Sequence, residues 1–256
     1  MKGYVMDKKK IFIAHISEEK EIALLVKTLI DNAFLNMLEV FIFSDENSIG
    51  LGEKWLEQIT NALSTCNIEL ILCSPKSIIQ PWINFEAGSG WIRKIPVIPL
   101  CHSGLIPSNL PLPLNLLQAA TLSEVSNLKI LLPVLANTIG SKIPEYDFLN
   151  FIKEVKEFEM KYTFWDECNK NFKKLNQINN QIIQALRTGQ TIIINLTELE
   201  INFINELMKF FTPNELISFQ RIGNTKFMSN GIYYDYQLIP LNKINNILTD
   251  KNFNLK

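Results

Sequence analysis

The sequence predicts an α/β fold, in which helices cover both faces of a parallel β-sheet, followed by a smaller, mainly α domain. Three observations lead to this expectation. In the first 140 residues, short apolar runs alternate with segments whose apolar positions recur every three or four residues. One such run, residues 68–73, has few polar positions, as is typical of a strand covered on both faces. The chain of 256 residues is 47% hydrophobic and 20% charged, which supplies a core and excludes a disordered protein.

The first half divides into predicted strands and helices as follows. The strands are expected at residues 10–14, 38–43, 68–73, 95–100 and 116–122. Helices should begin near Ser17 and near Trp55. A third should open at Ser74, because Pro75 suits the first helical position. The last should run from Ser123 to Gly140, where glycine is a natural C-terminal cap.

The second half shows a different pattern. Apolar residues spaced three or four apart across residues 146–186 predict one long helix or a hairpin of two helices. A capping box formed by Thr197 and Glu200 predicts another helix, and Thr212-Pro213 predicts a further one.

The last part of the chain predicts a hairpin at residues 223–238 and a helix at residues 241–248. Two helices followed by a hairpin are typical of a winged-helix module. We therefore expect two domains, residues 1–140 and a winged-helix-like domain at residues 141–256.

Composition argues against several classes of function. The formal net charge is −1, so binding driven by nucleic-acid phosphates is not expected. No apolar run is long enough to cross a membrane. The four cysteines are scattered and there are only two histidines, so we expect neither a metal site nor disulfides, and a cytoplasmic protein.

Ligands of parallel sheets bind where loops gather at the carboxyl ends of the strands. One of these loops leads into Trp82 and Glu86, which are four residues apart and share a helix face. An acid beside an aromatic ring can hold a planar cationic group. The same spacing also fits a packed tryptophan beside a solvated glutamate, and the pair alone does not decide between these readings.

Several motifs in order resemble a TIR domain over residues 8–140. They are Ile11 to Lys20, Val40 to Asp45, Ile49 to Trp55, Leu70 to Pro75 and Trp82 to Glu86. The resemblance implies a flavodoxin-like fold and one of two functions. Some TIR domains cleave the nicotinamide–ribose bond of NAD, and others are non-catalytic adaptors that only assemble.

The resemblance implies that Glu86 is the catalytic glutamate of the NAD-cleaving branch. Positive charge builds on the ribose as nicotinamide leaves, and a fixed carboxylate stabilises that charge more than it stabilises the ground state. Trp82 would offer a face for the nicotinamide ring, although a role in packing alone is the alternative.

Four more residues are candidates for substrate binding. Backbone N–H groups after Ser17 could bind the phosphates, and His15 is either a ligand contact or a packed residue. Asp45 either shapes the ribose pocket or caps its loop. Gly50 lets the loop that resembles the family's BB loop bend.

We therefore expect an NAD hydrolase that is activated by oligomerisation through the TIR domain and acts as an antiviral defence effector. NAD is its substrate and no cofactor is expected. Residues 141–256 would contact a sensor or activator, or would serve as an oligomerisation segment. The alternative is a non-catalytic scaffold. The sequence leaves open whether the product is ADP-ribose, cyclic ADP-ribose or a base-exchanged dinucleotide.

Overall fold

The computed structural model describes residues 8–42, 55–229 and 231–255. The chain forms two compact units, Met1–Tyr162 and Thr163–Lys256. The boundary therefore lies beyond Gly140, where the sequence placed it. The reason is that Phe151, Val155 and Phe158 belong to the hydrophobic core of the first unit.

The first unit contains a five-stranded parallel sheet, as predicted. The strands are β1 (Lys9–Ala14), β2 (Leu38–Ile42), β3 (Ile68–Cys73), β4 (Val97–Cys101) and β5 (Ala120–Thr121). Their order in the sheet is β2-β1-β3-β4-β5, and every pair of neighbours is parallel. Four of the strands begin and end within a few residues of the predicted limits, while β5 is shorter than expected.

Helices cover both faces of this sheet because the strands are apolar on both sides. The helices are α1 (Lys20–Ala33), α2 (Trp55–Thr65), α3 (Pro81–Arg93) and α4 (Val125–Ile139). In β1, Ile11 and Ile13 pack into one core with α1 and α4, while Phe12 and Ala14 pack into the other with α2 and α3. Gly140 adopts a left-handed conformation with φ of 67° and ends α4, as predicted.

The helix expected at Pro75 begins six residues later, at Pro81. After β3 the chain first forms a turn, in which the backbone N–H of Ser74 donates to Oγ of Ser77 at 2.7 Å. Gln80 is then the extended N-cap residue, and Pro81 takes the first helical position. A proline does occupy the first helical position, as predicted, but it is Pro81 and not Pro75.

A helix of 30 residues, α5 (Leu149–Ile178), accounts for most of the apolar spacing across residues 146–186. Its early apolar residues are buried in the core of the first unit. Its later ones, such as Phe172 and Leu175, are buried in the core of the second. The spacing therefore reflects packing within the chain. No helix in the described ranges is both long and apolar enough to cross a membrane.

The second unit combines helices with a three-stranded antiparallel sheet of order β6-β8-β7. Its elements after α5 are α6 (Gln181–Arg187), β6 (Ile192–Leu196), α7 (Glu198–Phe211), β7 (Ile217–Met228), β8 (Gly231–Pro240) and α8 (Ile244–Thr249). The predicted capping box starts α7, because the Thr197 N–H donates to Glu200 Oε2 at 2.8 Å and the Thr197 side chain accepts from the Glu200 N–H.

The helix predicted at Thr212 is wrong, because this segment ends α7 instead of opening a new helix. The side-chain amide of Asn214 donates to the carbonyl of Phe210 at 2.8 Å. Glu215 has a φ of 58°, a left-handed conformation that stops a helix. The chain then enters β7, so the unit has one helix between β6 and its hairpin, where the winged-helix pattern required two.

Candidate active site

The carboxyl ends of β1, β3 and β4 meet at one edge of the parallel sheet. His15 follows β1, Ser74 follows β3 and His102 follows β4. The chain after β3 leads into α3, which carries the Trp82 and Glu86 pair. The sequence predicted the loops after β1 and β3 at this edge, but it did not single out His102 after β4.

Trp82 and Glu86 interact directly through their side chains. The indole Nε1 of Trp82 donates to Oε1 of Glu86 at 2.7 Å. Glu86 is only 3% exposed, so it is not the solvated glutamate of the alternative reading. Its second oxygen, Oε2, is buried and has no hydrogen-bond partner among the described residues. The orientation of this carboxyl group is thus fixed through one oxygen, while the hydrogen-bonding capacity of the other is unused.

Burial raises the pKa of Glu86 to about 7, and the hydrogen bond from Trp82 opposes that rise. The carboxyl group is therefore close to half ionised at neutral pH. A buried carboxyl group with a pKa near 7 carries a negative charge in part of the molecules at neutral pH, and water screens that charge only incompletely.

Trp82 is half-buried and its ring stacks on Phe85, with ring centroids 5.1 Å apart. Its N–H is used by Glu86, which fixes the orientation of the indole. The Trp82 side chain therefore packs against Phe85 with its ring and binds Glu86 with its N–H group.

Of the four other residues predicted to bind substrate, His15 and Ser17 lie within the described ranges. Ser17 is exposed at the start of a 3₁₀ turn, Ser17–Glu19, that precedes α1. His15 is partly buried and burial lowers its pKa, which favours the neutral imidazole. Its Nε2 has no hydrogen-bond partner in the described ranges. Asp45 and Gly50 lie outside the described residues.

Sequence reasoning missed a buried polar cluster at the same edge. Glu19 is fully buried, and its Oε1 lies 3.2 Å from Nε2 of His102 and 3.4 Å from the hydroxyl of Tyr162. The hydroxyl of Tyr162, on α5, also lies 3.1 Å from Oγ of Ser74. The available signal was that His102 lies two residues after the predicted strand at residues 95–100, since strand ends gather at this edge.

The charge of Glu19 is stabilised within this cluster. Burial alone would raise the pKa of Glu19, but hydrogen bonding and the charge of His102, together with Ser74 and Ser77, outweigh it and lower the pKa. The second oxygen of Glu19 accepts from the backbone N–H of Ile16 at 3.3 Å. The glutamate thus holds the loop between β1 and α1 in place.

Comparison with known proteins gives one family. A family model described as TIR domain matches residues 11–145, which is more than half of the chain. No curated protein matches. A solved structure of the TIR domains of the activated Roq1 resistosome, which directly recognises the pathogen effector XopQ, is 12% identical with a TM-score of 0.30. It covers 60% of this chain and 83% of its own.

Proposed function

The chain belongs to the TIR domain family, and on that basis we propose that it cleaves the nicotinamide–ribose bond of NAD. The observation that carries the proposal is the buried carboxyl group of Glu86, oriented by Trp82 and poised to ionise near neutral pH. A solvated glutamate at this position would have offered a carboxylate screened by water, with less effect on a developing positive charge.

In the proposed reaction the bond between C1′ of the ribose and the nicotinamide nitrogen breaks. Its electron pair passes to the ring nitrogen, so nicotinamide leaves as a neutral molecule while positive charge develops on the ribose. The Glu86 carboxylate stabilises that charge in the transition state. Water then adds to C1′ and releases a proton to solvent, which gives ADP-ribose. Attack by adenine or by another base would give the cyclic or base-exchanged product instead.

The other predicted residues receive supporting roles in this proposal. Trp82 orients the carboxylate and offers a face of its ring to the nicotinamide. His15 and Ser17 lie at the strand edge where the phosphates would bind, and His15 has an unused ring nitrogen in the described structure. Asp45 and Gly50 remain candidates for the ribose pocket and for the adjacent loop.

We propose further that activity requires assembly through the TIR domain. The outer side of α3 carries Phe85 and Ile92, which are 57% and 83% exposed, beside a groove of about 510 Å³ next to α2. Exposed apolar residues in such a groove favour association with a second copy. Ile92→Asp should therefore lower both the mass measured by light scattering and the rate of NAD cleavage per protomer.

The proposed biological role is antiviral defence in the cytoplasm by depletion of NAD, with residues 141–256 receiving the signal. Cells that express the wild-type chain should lose NAD and restrict phage after infection, while cells expressing Glu86→Ala should do neither. Equal protection by both would favour the alternative, a non-catalytic scaffold.

The direct test of the reaction is product analysis. Purified protein at high concentration is incubated with NAD, and nicotinamide, ADP-ribose and its cyclic form are separated and identified by mass spectrometry. The proposal expects nicotinamide to be released by the wild type and not by Glu86→Ala. Intact NAD after prolonged incubation of concentrated wild type would contradict it.

A further inference from the structure

One charged residue interrupts the otherwise apolar strand β3. Glu69 is fully buried, and its paired neighbours in the adjacent strands, Phe12 and Val97, are apolar. No requirement of strand packing explains a carboxyl group at this position, because burying an acid without partners is unfavourable.

The carboxyl group of Glu69 lies against helix α3, within reach of the helix backbone. A Cβ atom added to Gly90 would overlap Oε2 of Glu69, so the carboxyl group occupies the space that a side chain at residue 90 would fill. Gly90 is one helical turn beyond Glu86. The carboxyl group of Glu69, on β3, therefore packs against α3 one turn beyond the candidate catalytic residue.

Few other charged or titratable groups face Glu69. The guanidinium of Arg93 interacts with it electrostatically but donates hydrogen bonds elsewhere, to the carbonyls of Leu63 and Cys66 and to the Cys66 sulfur. The Cys66 thiol also feels the charge of Glu69. The backbone N–H of Gly90 interacts with the Glu69 carboxyl group and lowers its pKa, but no hydrogen bond of ordinary geometry reaches either carboxyl oxygen among the described residues. Oε2 of Glu86 likewise has no hydrogen-bond partner in the described ranges.

We propose that Glu69 is a positioning residue for Glu86: it keeps its proton while Glu86 is ionised, so that the layer beneath α3 holds one negative charge. This inference rests on the proposed function. Two carboxyl groups that share a buried site do not ionise together, because the second charge meets both desolvation and repulsion. In agreement with this, burial and the charge of Glu86 raise the pKa of Glu69 to about 8.

The consequence is a window of pH for the site. Below about pH 7 the Glu86 carboxyl group is protonated and cannot stabilise the ribose cation. Above about pH 8 the ionisation of Glu69 places a second negative charge in the buried layer under α3. Because burying an unpaired charge is unfavourable, we infer that this ionisation displaces α3 and, with it, Glu86. The rate of NAD cleavage should therefore follow a bell-shaped dependence on pH. Its acid and alkaline limbs report the two apparent pKa values of the Glu69 and Glu86 pair.

The variant Glu69→Gln tests the alkaline limb. From the two pKa values, the wild-type rate should fall about sixfold between pH 7.5 and pH 9, and Glu69→Gln should abolish that fall. Glu39→Gln, which changes an exposed glutamate of β2, should keep it. A purely structural role for Glu69 would change the rate by the same factor at every pH, and that result would overturn the inference.

A second measurement does not depend on activity. The indole N–H resonance of Trp82 reports the charge of Glu86, because it donates to that carboxyl group. In the wild type this resonance should shift in two steps, near pH 7 and near pH 8, and in Glu69→Gln in one step near pH 7. A single step in the wild type contradicts the inference even if the variant does not fold. Absence of NAD cleavage combined with two steps would instead reject the proposed function alone.

Discussion

The indole N–H of Trp82 donates a 2.7 Å hydrogen bond to Oε1 of Glu86, one turn further along α3. The bond fixes the direction of a carboxyl group that is almost fully buried. It also favours the ionised carboxylate, against the burial that raises the pKa of Glu86 to about 7. Trp82 therefore influences both the orientation and the charge of Glu86.

Trp82→Phe keeps an aromatic ring and removes the donor, so the pKa of Glu86 should rise. A rise of about one unit would lower the ionised fraction at pH 7, and with it the rate of NAD cleavage, about fivefold. The measurement is the acid limb of the pH–rate profile. Trp91→Phe, on the exposed side of the same helix, is the control and should leave that limb in place. An unchanged limb in Trp82→Phe would mean that the hydrogen bond has no part in setting the charge.

Glu19→Gln should destabilise the protein by about 2 kcal/mol at pH 7, because a buried, hydrogen-bonded carboxylate is lost. The pKa of Glu19 is lower in the folded state than its usual value of 4.5. Its contribution is therefore present above pH 4.5 and is lost as the pH falls through the folded-state pKa. Urea unfolding at pH 7 and pH 3 should show the difference from wild type shrinking at the lower pH. Glu18→Gln, at the exposed neighbouring position, should show little effect at either pH.

Glu69→Gln should have the opposite dependence on pH. The pKa of Glu69 is raised from 4.5 to about 8 in the folded state, so folding retains a proton that the unfolded chain releases. The wild type therefore loses stability as the pH rises from about 4.5 to about 8, and the variant does not. Between pH 5 and pH 8.5 the stability of the variant relative to wild type should therefore rise by roughly 4 kcal/mol. If wild type and Glu69→Gln had equal urea midpoints at pH 5 and also at pH 8.5, Glu69 would be ionised in the folded protein.

The two glycines of α3 form a matched pair. Gly90→Ala should destabilise the protein by about 2 kcal/mol, because its Cβ would overlap the Glu69 carboxyl group and the Val97 side chain. Gly88→Ala adds a Cβ that meets nothing within 4 Å and should stabilise the helix by about 0.5–1 kcal/mol. Thermal unfolding of both variants gives the comparison. A similar effect of the two substitutions would contradict the close packing of α3 on β3.

The sequence was sufficient to predict the parallel sheet and the helix that carries Glu86. Alternation of apolar runs with helical spacing is a local signal, and it located β1, β3 and α4 closely. It did not distinguish Pro75 from Pro81 as the start of α3, because the intervening turn depends on the side chain of Ser77 accepting a backbone hydrogen bond.

The remaining features depend on contacts between residues distant in the chain. Thr212 resembles a helix start, yet this segment ends α7. The hydroxyl of Thr212 donates a hydrogen bond to the carbonyl of Ile217, and the side-chain amide of Asn214 donates one to the carbonyl of Phe210. Tyr162 meets Glu19 across 143 positions of sequence, and periodicity carries no information about such a pairing. Glu69 was visible as a charge in an apolar strand, but only the packing of α3 relates it to Glu86.

We propose that NAD cleavage depends on the carboxylate of Glu86, and the isosteric variant Glu86→Gln removes only its charge. Nicotinamide release is measured at pH 7.5 for wild type, Glu86→Gln and the exposed-site control Glu39→Gln, each at the same high protein concentration. We expect wild type and control to release nicotinamide, and the rate to fall at least about 100-fold in Glu86→Gln, because one electrostatic group that stabilises the transition state is removed. Release by Glu86→Gln at the wild-type rate would contradict the proposal.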